Sequence, residues 1–430
     1  MTIKDTNQSL TALINAQYPR LLAALIRMLG SAHIAIAEDL VQDTVERTIK
    51  AWHAQAIPSN PPAWMMLTAR HLAIDFLRRQ STKRMLADSL VHSLLSEWTL
   101  EGVVDANLNQ DLLADDDLRL MLWVCSVNLA LPARLPLVLR YVCNMDVAVI
   151  AKLMFVTSET IKKRLVRARQ TLREVPLVIS TSDYPSGTFD TAMTAIYLVF
   201  QEACNNPQLP LEERQRVTTF CIHLLQQMQT GTQAHSGMIH ALQANLYYHL
   251  ARMPTRVVSK VPVPLDEQDR NSWSRHLIGS GANHLAQALE DKNAELNVYL
   301  CEALIQHEHC RARTFAATDW HRITQLYSAW RRLTDSASVA INHATALLYV
   351  GQPNEAINLL QAQLSDKSSS VRARAHAALA YVSAFTGEQE LSGKHFAEAQ
   401  SQGLDCESLT SLQRQIRKLL DKQLGVTTPN

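Results

Sequence analysis

Only 12 of the 430 residues are glycine, under 3% of the chain, where ~7% is usual. Glycine supplies the positive-φ positions of tight hairpins and the close backbone approach of phosphate-binding loops. A chain this poor in it is a weak candidate for a sheet-rich sandwich or a dinucleotide-binding α/β enzyme. The expected fold class is all-α. At roughly 150 residues per domain, the length suggests about three domains, and 47% hydrophobic residues are ample for their cores.

The charge totals nearly cancel, with 41 basic and 40 acidic residues, but their distribution is uneven. Residues 85–130 carry eight carboxylates against Arg119 alone, a net of −7. Residues 131–174 carry nine cations against Asp146, Glu159 and Glu174, a net of +6. An acidic stretch followed by a basic one suggests modules with different partners. The seven cysteines are scattered and form no CxxC pair, which suits a reducing compartment better than a disulfide framework or a zinc site. MTIKDTNQSL has no apolar signal core, and no run approaches the ~20 apolar residues of a membrane span. A cytoplasmic protein without membrane contact is expected.

The segment 175–190, VPLVISTSDYPSGTFD, reads as a linker, and 86–112 lacks clear periodicity. Before them, Val41, Val45, Thr48 and Trp52 recur at helical spacing, with Asp39, Asp43, Glu46 and Lys50 on another face. Pro62 is placed to open a helix through WMMLTARHLAIDFLRRQ, with Leu67, Ile74 and Leu77 inward. Leu131–Val142 reads as one helix with Asn144 near its end. Asp146 can cap the short helix after it, and Thr157 or Ser158 a longer one. In that last helix Ile161, Leu165, Ala168 and Leu172 point inward, leaving Lys162, Lys163, Arg167 and Arg169 largely outside. Towards the C-terminus, HATALLYVGQPNEAINLLQAQ and LAYVSAFTGEQELSGKHFAEA align at an offset of 36 residues, matching Ala344 with Ala380, Gly351 with Gly387 and Leu360 with Phe396. Small residue, turn glycine and second helix is the tetratricopeptide (TPR) pattern, at slightly more than its ~34-residue period.

A basic helix behind a short capped helix is the arrangement that seats cations and base-reading side chains in a major groove; a basic helix alone reads more simply as a solvated surface. Trp64, Arg70, Arg78 and Arg79 combine an aromatic with cations that can follow a single strand, although composition alone favours a core Trp64 and a polar helix end. His71 and Asp75 read as a local hydrogen-bonded pair. His307, His309 and Cys310 are the densest metal-type cluster, but 307 and 309 do not share a helical face, so a surface helix end is the expectation. No phosphate loop, HExxH, GxSxG or GxGxxG occurs. The expectation is therefore no enzyme, no catalytic or metal-binding residue and no cofactor.

Three blocks carry a family resemblance. AEDLVQDTVERTIKAW (37–52) resembles region 2.2 of sigma-70 family factors of the extracytoplasmic-function (ECF) group. NPPAWMMLTARHLAIDFLRRQ (60–80) resembles their regions 2.3 and 2.4. LPARLPLVLRYVCNMDVAVIAKLMFVTSETIKKRLVRARQTLRE (131–174) resembles their region 4, a helix-turn-helix. The resemblance implies that Asp39, Gln42, Asp43 and Arg47 bind core RNA polymerase. It also implies that Trp64, Arg70, His71, Arg78 and Arg79 face the melted minus-10 promoter DNA, and that Thr160, Lys162, Lys163, Arg164, Arg167 and Arg169 face the minus-35 duplex. Met154-Phe155 stands where the family has glycine in the turn, Thr157 where proline is common, and Glu159 and Lys163 where small residues are usual. Promoter preference therefore does not carry over.

Residues 195–206, 265–289 and 319–347 are similar to an ECF subgroup with a C-terminal TPR-like extension. The implied order is region 2 (1–85), an acidic linker (86–113), region 4 (114–176), a second linker (177–188) and a TPR-like helical domain (189–430) that regulates activity through a protein or peptide ligand. The rival reading is a helix-turn-helix regulator with a TPR-like sensor that never binds polymerase; the 37–52 block speaks against it.

Overall fold

A computed structural model describes residues 3–54, 57–83, 110–154, 156–175, 184–185, 187–231, 236–291 and 295–423. The acidic linker expected at 86–113 and the linker at 177–188 fall mostly outside these. Apart from an antiparallel pair of two-residue strands, β1 (Val257–Val258) and β2 (Val261–Pro262), the regular elements described are helices. No described helix is long and apolar enough to cross a membrane. The chain divides into two compact units, Met1–Glu202 with His223–Gly231, and Ala203–Ile222 with Thr232–Asn430.

The first unit begins with α1 (Ile3–Leu29), α2 (Ile34–Ala54) and α3 (Pro61–Lys83). Gly30, at φ +83°, breaks α1 from α2, a conformation that a Cβ resists. Leu22, Ile34, Val41 and Met65 are fully buried. Asn60 Oδ1 accepts the Ala63 N–H at 3.2 Å ahead of Pro61-Pro62, so a side-chain cap and ring-fixed φ angles set the start of α3. One expectation on α3 is overturned: Leu67 is 44% exposed. The buried stripe runs through Met65, Ala69, Leu72 and Ala73 instead, because α1 and α2 both pack on α3.

Next come α4 (Gln110–Ser126), α5 (Leu131–Leu137), α6 (Val147–Leu153) and α7 (Ser158–Leu172). The single helix expected over 131–142 widens at Val138–Val142. There the Cys143 N–H reaches back five residues to Val138 O at 3.0 Å. Asn144 follows at φ +49°, a left-handed position that asparagine tolerates. Asp146 stands at the start of α6 but makes no side-chain cap. Thr157 does cap α7, its Oγ1 accepting the Thr160 N–H at 3.2 Å. Ile161, Leu165, Ala168 and Leu172 are all buried, as their spacing requires.

Helices α8 (Thr188–Asn205) and α9 (Leu211–Gly231) each contribute residues to both units. The second unit continues with α10 (Ser236–Arg252), the β1–β2 hairpin, α11 (Arg275–Glu290), α12 (Val298–Arg311), α13 (Trp320–Leu333), α14 (Ala337–Tyr349), α15 (Pro353–Gln363), α16 (Ser369–Phe385), α17 (Gln389–Ser401) and α18 (Cys406–Gln423). From α10 to α17 successive helices pack as neighbours, and α18 packs on α16. Gly351 and Gly387 take φ +78° and +89° at the equivalent turns α14–α15 and α16–α17. Tyr349 and Phe385, one 36-residue step apart, meet edge-on with ring centroids at 6.3 Å. The cluster around His309 differs from the surface helix end expected: His309 and Cys310 are buried in the core of this unit.

Gly281 on α11 lies under the Tyr248 ring, and a Cβ there would stand 2.8 Å from a ring carbon. The ring has little room to retreat, since Tyr248 is fully buried and its hydroxyl lies 2.8 Å from His307 Nδ1. Gly279, two residues earlier on the same helix, faces open space. Gly281→Ala is therefore expected to destabilise the fold by about 1–3 kcal/mol through overpacking. Gly279→Ala is expected to stabilise it by roughly 0.5–1 kcal/mol through helix propensity. Chemical denaturation of both variants checks the opposite signs.

Candidate polymerase and DNA interface

On α2, Asp39, Gln42, Asp43 and Arg47 are all exposed, while Val41, Thr44, Thr48 and Trp52 form the buried side. Thr44 and Thr48 are buried hydroxyls satisfied within the helix, each donating to the carbonyl four residues back at 2.7 Å. This back-bonding lets polar residues face a core without losing a hydrogen bond. The exposed side keeps two carboxylates, an amide and a guanidinium in water, a composition suited to a charged protein partner.

On α3, Trp64 is half-buried and its ring lies 5.6 Å from that of Trp52. His71, Arg78 and Arg79 are exposed. At 3.6 residues per turn, Trp64, His71 and Arg78 share one face, and the exposed Leu67 lies beside them. Arg70 sits about 100° round from His71, half-buried, and burial pulls its guanidinium pKa down. The local pair expected between His71 and Asp75 does not form: both side chains are exposed and no hydrogen bond joins them.

On α7, Lys162, Lys163 and Arg167 project into solvent. Lys163 lies 3.9 Å from Glu159, and both side chains are mostly exposed, so the pair adds little stability. Thr160 is tied to the cap, its Oγ1 standing 2.9 Å from Thr157 Oγ1. Arg164 is half-buried.

Arg169 has a different environment. Its Nη2 is 3.0 Å from Glu38 Oε2, and its Nε donates to the Tyr141 hydroxyl at 2.6 Å. Glu38, on α2, is only 6% exposed. Arg140 Nε stands 3.8 Å from the other carboxylate oxygen, and the Tyr141 hydroxyl donates to Oε2 at 3.4 Å. The Arg140 guanidinium also lies 5.9 Å from the centroid of the Tyr18 ring. Burial pushes the Glu38 carboxyl up, while Arg169 and Arg140 oppose that shift. Burial likewise raises the Tyr18 phenol to about 12. One buried carboxylate thus joins α2 to α7 and to the widened segment Val138–Val142 that follows α5. Beside it lies a cleft of about 350 Å³, with Asp39 and Gln42 on one wall and Lys162, Val166 and Arg169 on the other.

Sequence reasoning singled out Arg169 and missed Glu38, Arg140 and Tyr141. The only available signal was a carboxylate at position 38 next to the buried stripe of α2. Nothing local names a partner more than 100 residues away.

Comparison with known proteins now adds to the geometry. Residues 13–83 match the model of sigma-70 region 2, and residues 121–172 match that of sigma-70, region 4. Residues 189–289 match a family of unknown function, DUF6596. A protein of Rhizobium meliloti (strain 1021), described as uncharacterized, is 29% identical over 361 residues, 83% of each chain. No solved structure matches. The chain thus carries two sigma-70 modules, region 2 followed by region 4 of the ECF type, on an all-α fold.

Arg169→Met would leave the Glu38 carboxylate buried without its nearest guanidinium. The expected loss of stability is about 3–5 kcal/mol. Adding Glu38→Gln should recover much of that loss, and the double-mutant cycle should give a coupling above about 1 kcal/mol. Additive effects in urea denaturation would show the pair to be uncoupled.

Proposed function

We propose that the protein is a promoter-recognition subunit of RNA polymerase, whose two sigma modules are closed on each other at rest and open on the enzyme. The observation that carries the reading is the Glu38–Arg169 ion pair at 3.0 Å. It joins the helix proposed to bind polymerase to the helix proposed to read the minus-35 element. Those elements are 25 base pairs apart by name, roughly 85 Å of duplex at 3.4 Å per step. Helix α3, with 23 residues, is only about 35 Å long. Modules held at ion-pair distance cannot occupy both elements, so promoter binding requires the Glu38 contacts to break.

In the open state Asp39, Gln42, Asp43 and Arg47 bind core polymerase. Trp64, His71, Arg78 and Arg79, with Leu67 beside them, hold the unstacked minus-10 strand, and Arg70 flanks them. Thr160, Lys162, Lys163, Arg164 and Arg167 contact the minus-35 duplex, and Arg169 exchanges Glu38 for phosphate. The acidic 86–113 segment links the two modules. The domain limits are those implied by the resemblance, with a TPR-like region from 189 that regulates activity by binding a protein or peptide. The protein acts in the cytoplasm and carries out no chemistry of its own.

Core-polymerase reconstitution on a promoter library tests this reading. The full chain should bind core enzyme and direct initiation from a defined subset of promoters. Asp43→Arg should weaken core binding about tenfold or more while leaving duplex binding intact. Lys163→Ala with Arg167→Ala should lower the salt dependence of duplex binding by about two charges. Failure of the full chain to bind core polymerase would overturn the proposal and favour a duplex-binding regulator.

A further inference from the structure

A second buried anion site lies in the second unit. Cys204, at the end of α8, is only 1% exposed. Arg256 Nη1 donates to its Sγ at 2.8 Å, and His249 Nδ1 stands 3.7 Å from the same sulfur. Arg256 Nη2 also donates to Asn205 Oδ1 at 2.8 Å. An independent observation comes from Arg214 on α9, which is only 3% exposed. Its Nε and Nη1 are buried without a hydrogen-bond partner, and its charge acts on Cys204. A buried guanidinium with unused donors marks a place where an anion with more acceptor capacity than a thiolate would be held.

The electrostatics set this thiol apart from the others described. Burial pushes Cys204 up, but Arg256, His249 and Arg214 together bring it down to about 7. Burial outweighs the nearby arginines at Cys125, Cys301 and Cys310, which are raised to about 12, 11 and 11. All seven cysteines are free, and Cys406 is exposed. A thiolate beside cations is the reactive form of cysteine, whereas buried apolar thiols are inert.

We propose that Cys204 is a peroxide-reactive site at which hydrogen peroxide converts the thiol to a sulfenic acid held by Arg256 and Arg214. The thiolate sulfur attacks one peroxide oxygen, an S–O bond forms and the O–O bond breaks. The departing hydroxide takes up a proton and leaves as water. Sulfur is oxidised by two electrons and the peroxide is reduced by two. Arg256 N–H groups stabilise the leaving oxygen, and the free donors of Arg214 receive the new oxygen. Arg256, which touches the sulfur, is only partly buried, and its displacement would open a path for peroxide, which is little larger than water. The product stays reversible by thiols.

The test treats the full-length protein at pH 7 with hydrogen peroxide in the presence of dimedone, which traps sulfenic acids, and maps all seven cysteines by mass spectrometry. Cys204 should be labelled first, at least threefold faster than the exposed Cys406. Arg256→Gln should slow labelling at Cys204 about tenfold without changing that at Cys406, and Arg256→Lys should restore part of the rate. Circular dichroism checks that both variants stay folded; if Arg256→Gln unfolds, the order of labelling in the unaltered chain decides. Labelling of Cys406 ahead of Cys204, or an unchanged Cys204 rate in a folded Arg256→Gln variant, would overturn the proposal.

Discussion

A carboxylate taken out of water has to be met by charge and hydrogen bonds, or it costs several kcal/mol. Glu38 is met by groups from α7 and from the widened segment after α5: the Arg169 and Arg140 guanidinium groups and the Tyr141 hydroxyl. The arrangement of the first unit depends on this. The ion pair orients α7 so that its apolar stripe is buried while Lys162 faces Asp39 and Gln42 across a cleft. Surfaces proposed for polymerase and for promoter DNA therefore share the walls of one cavity. Occupation of one surface and closure of the cleft compete for the same residues, so a binding partner works against the ion pair rather than adding to it.

The same physical device recurs in the second unit with another anion. Cys204, like Glu38, sits under guanidinium groups, but the outcomes differ because the two groups ionise differently. A carboxylate is already charged at neutral pH, so cations hold it in place. A thiol is not, so cations shift its ionisation and create a nucleophile. Around that centre the helix pairs are fixed by aromatic and glycine contacts: Tyr248 against Gly281, and Tyr349 against Phe385 one repeat on. Glycine is scarce in this chain, and in this unit Gly351 and Gly387 serve turns and Gly281 a close approach that a side chain would disturb.

Much of the fold was legible because helical signals are local. Ile161, Leu165, Ala168 and Leu172 lie within 12 residues of one another, and their spacing alone specified a buried stripe. Thr157 as a cap and Gly351 and Gly387 as turn residues depend only on their own backbone positions. The misses have a common origin. Leu67 fits the inward period of α3, yet the packing of α1 and α2 selects Met65, Ala69 and Leu72. His309 and Cys310 look like a polar helix end until the neighbouring helices cover them. Arg169 resembles its exposed neighbours Lys162 and Arg167 in sequence, and differs only because Glu38 reaches it.

The sequence by itself determined the helical class, the two sigma modules and the buried stripe of α7. Periodicity, capping and charge act within a few residues, so these properties need no distant partner. Only the tertiary structure decided that Glu38 is buried between two arginines, that Leu67 lies outside, and that Cys204 sits against the Arg256 guanidinium. Those outcomes depend on groups separated by tens to more than a hundred residues, brought together by packing that no local pattern encodes.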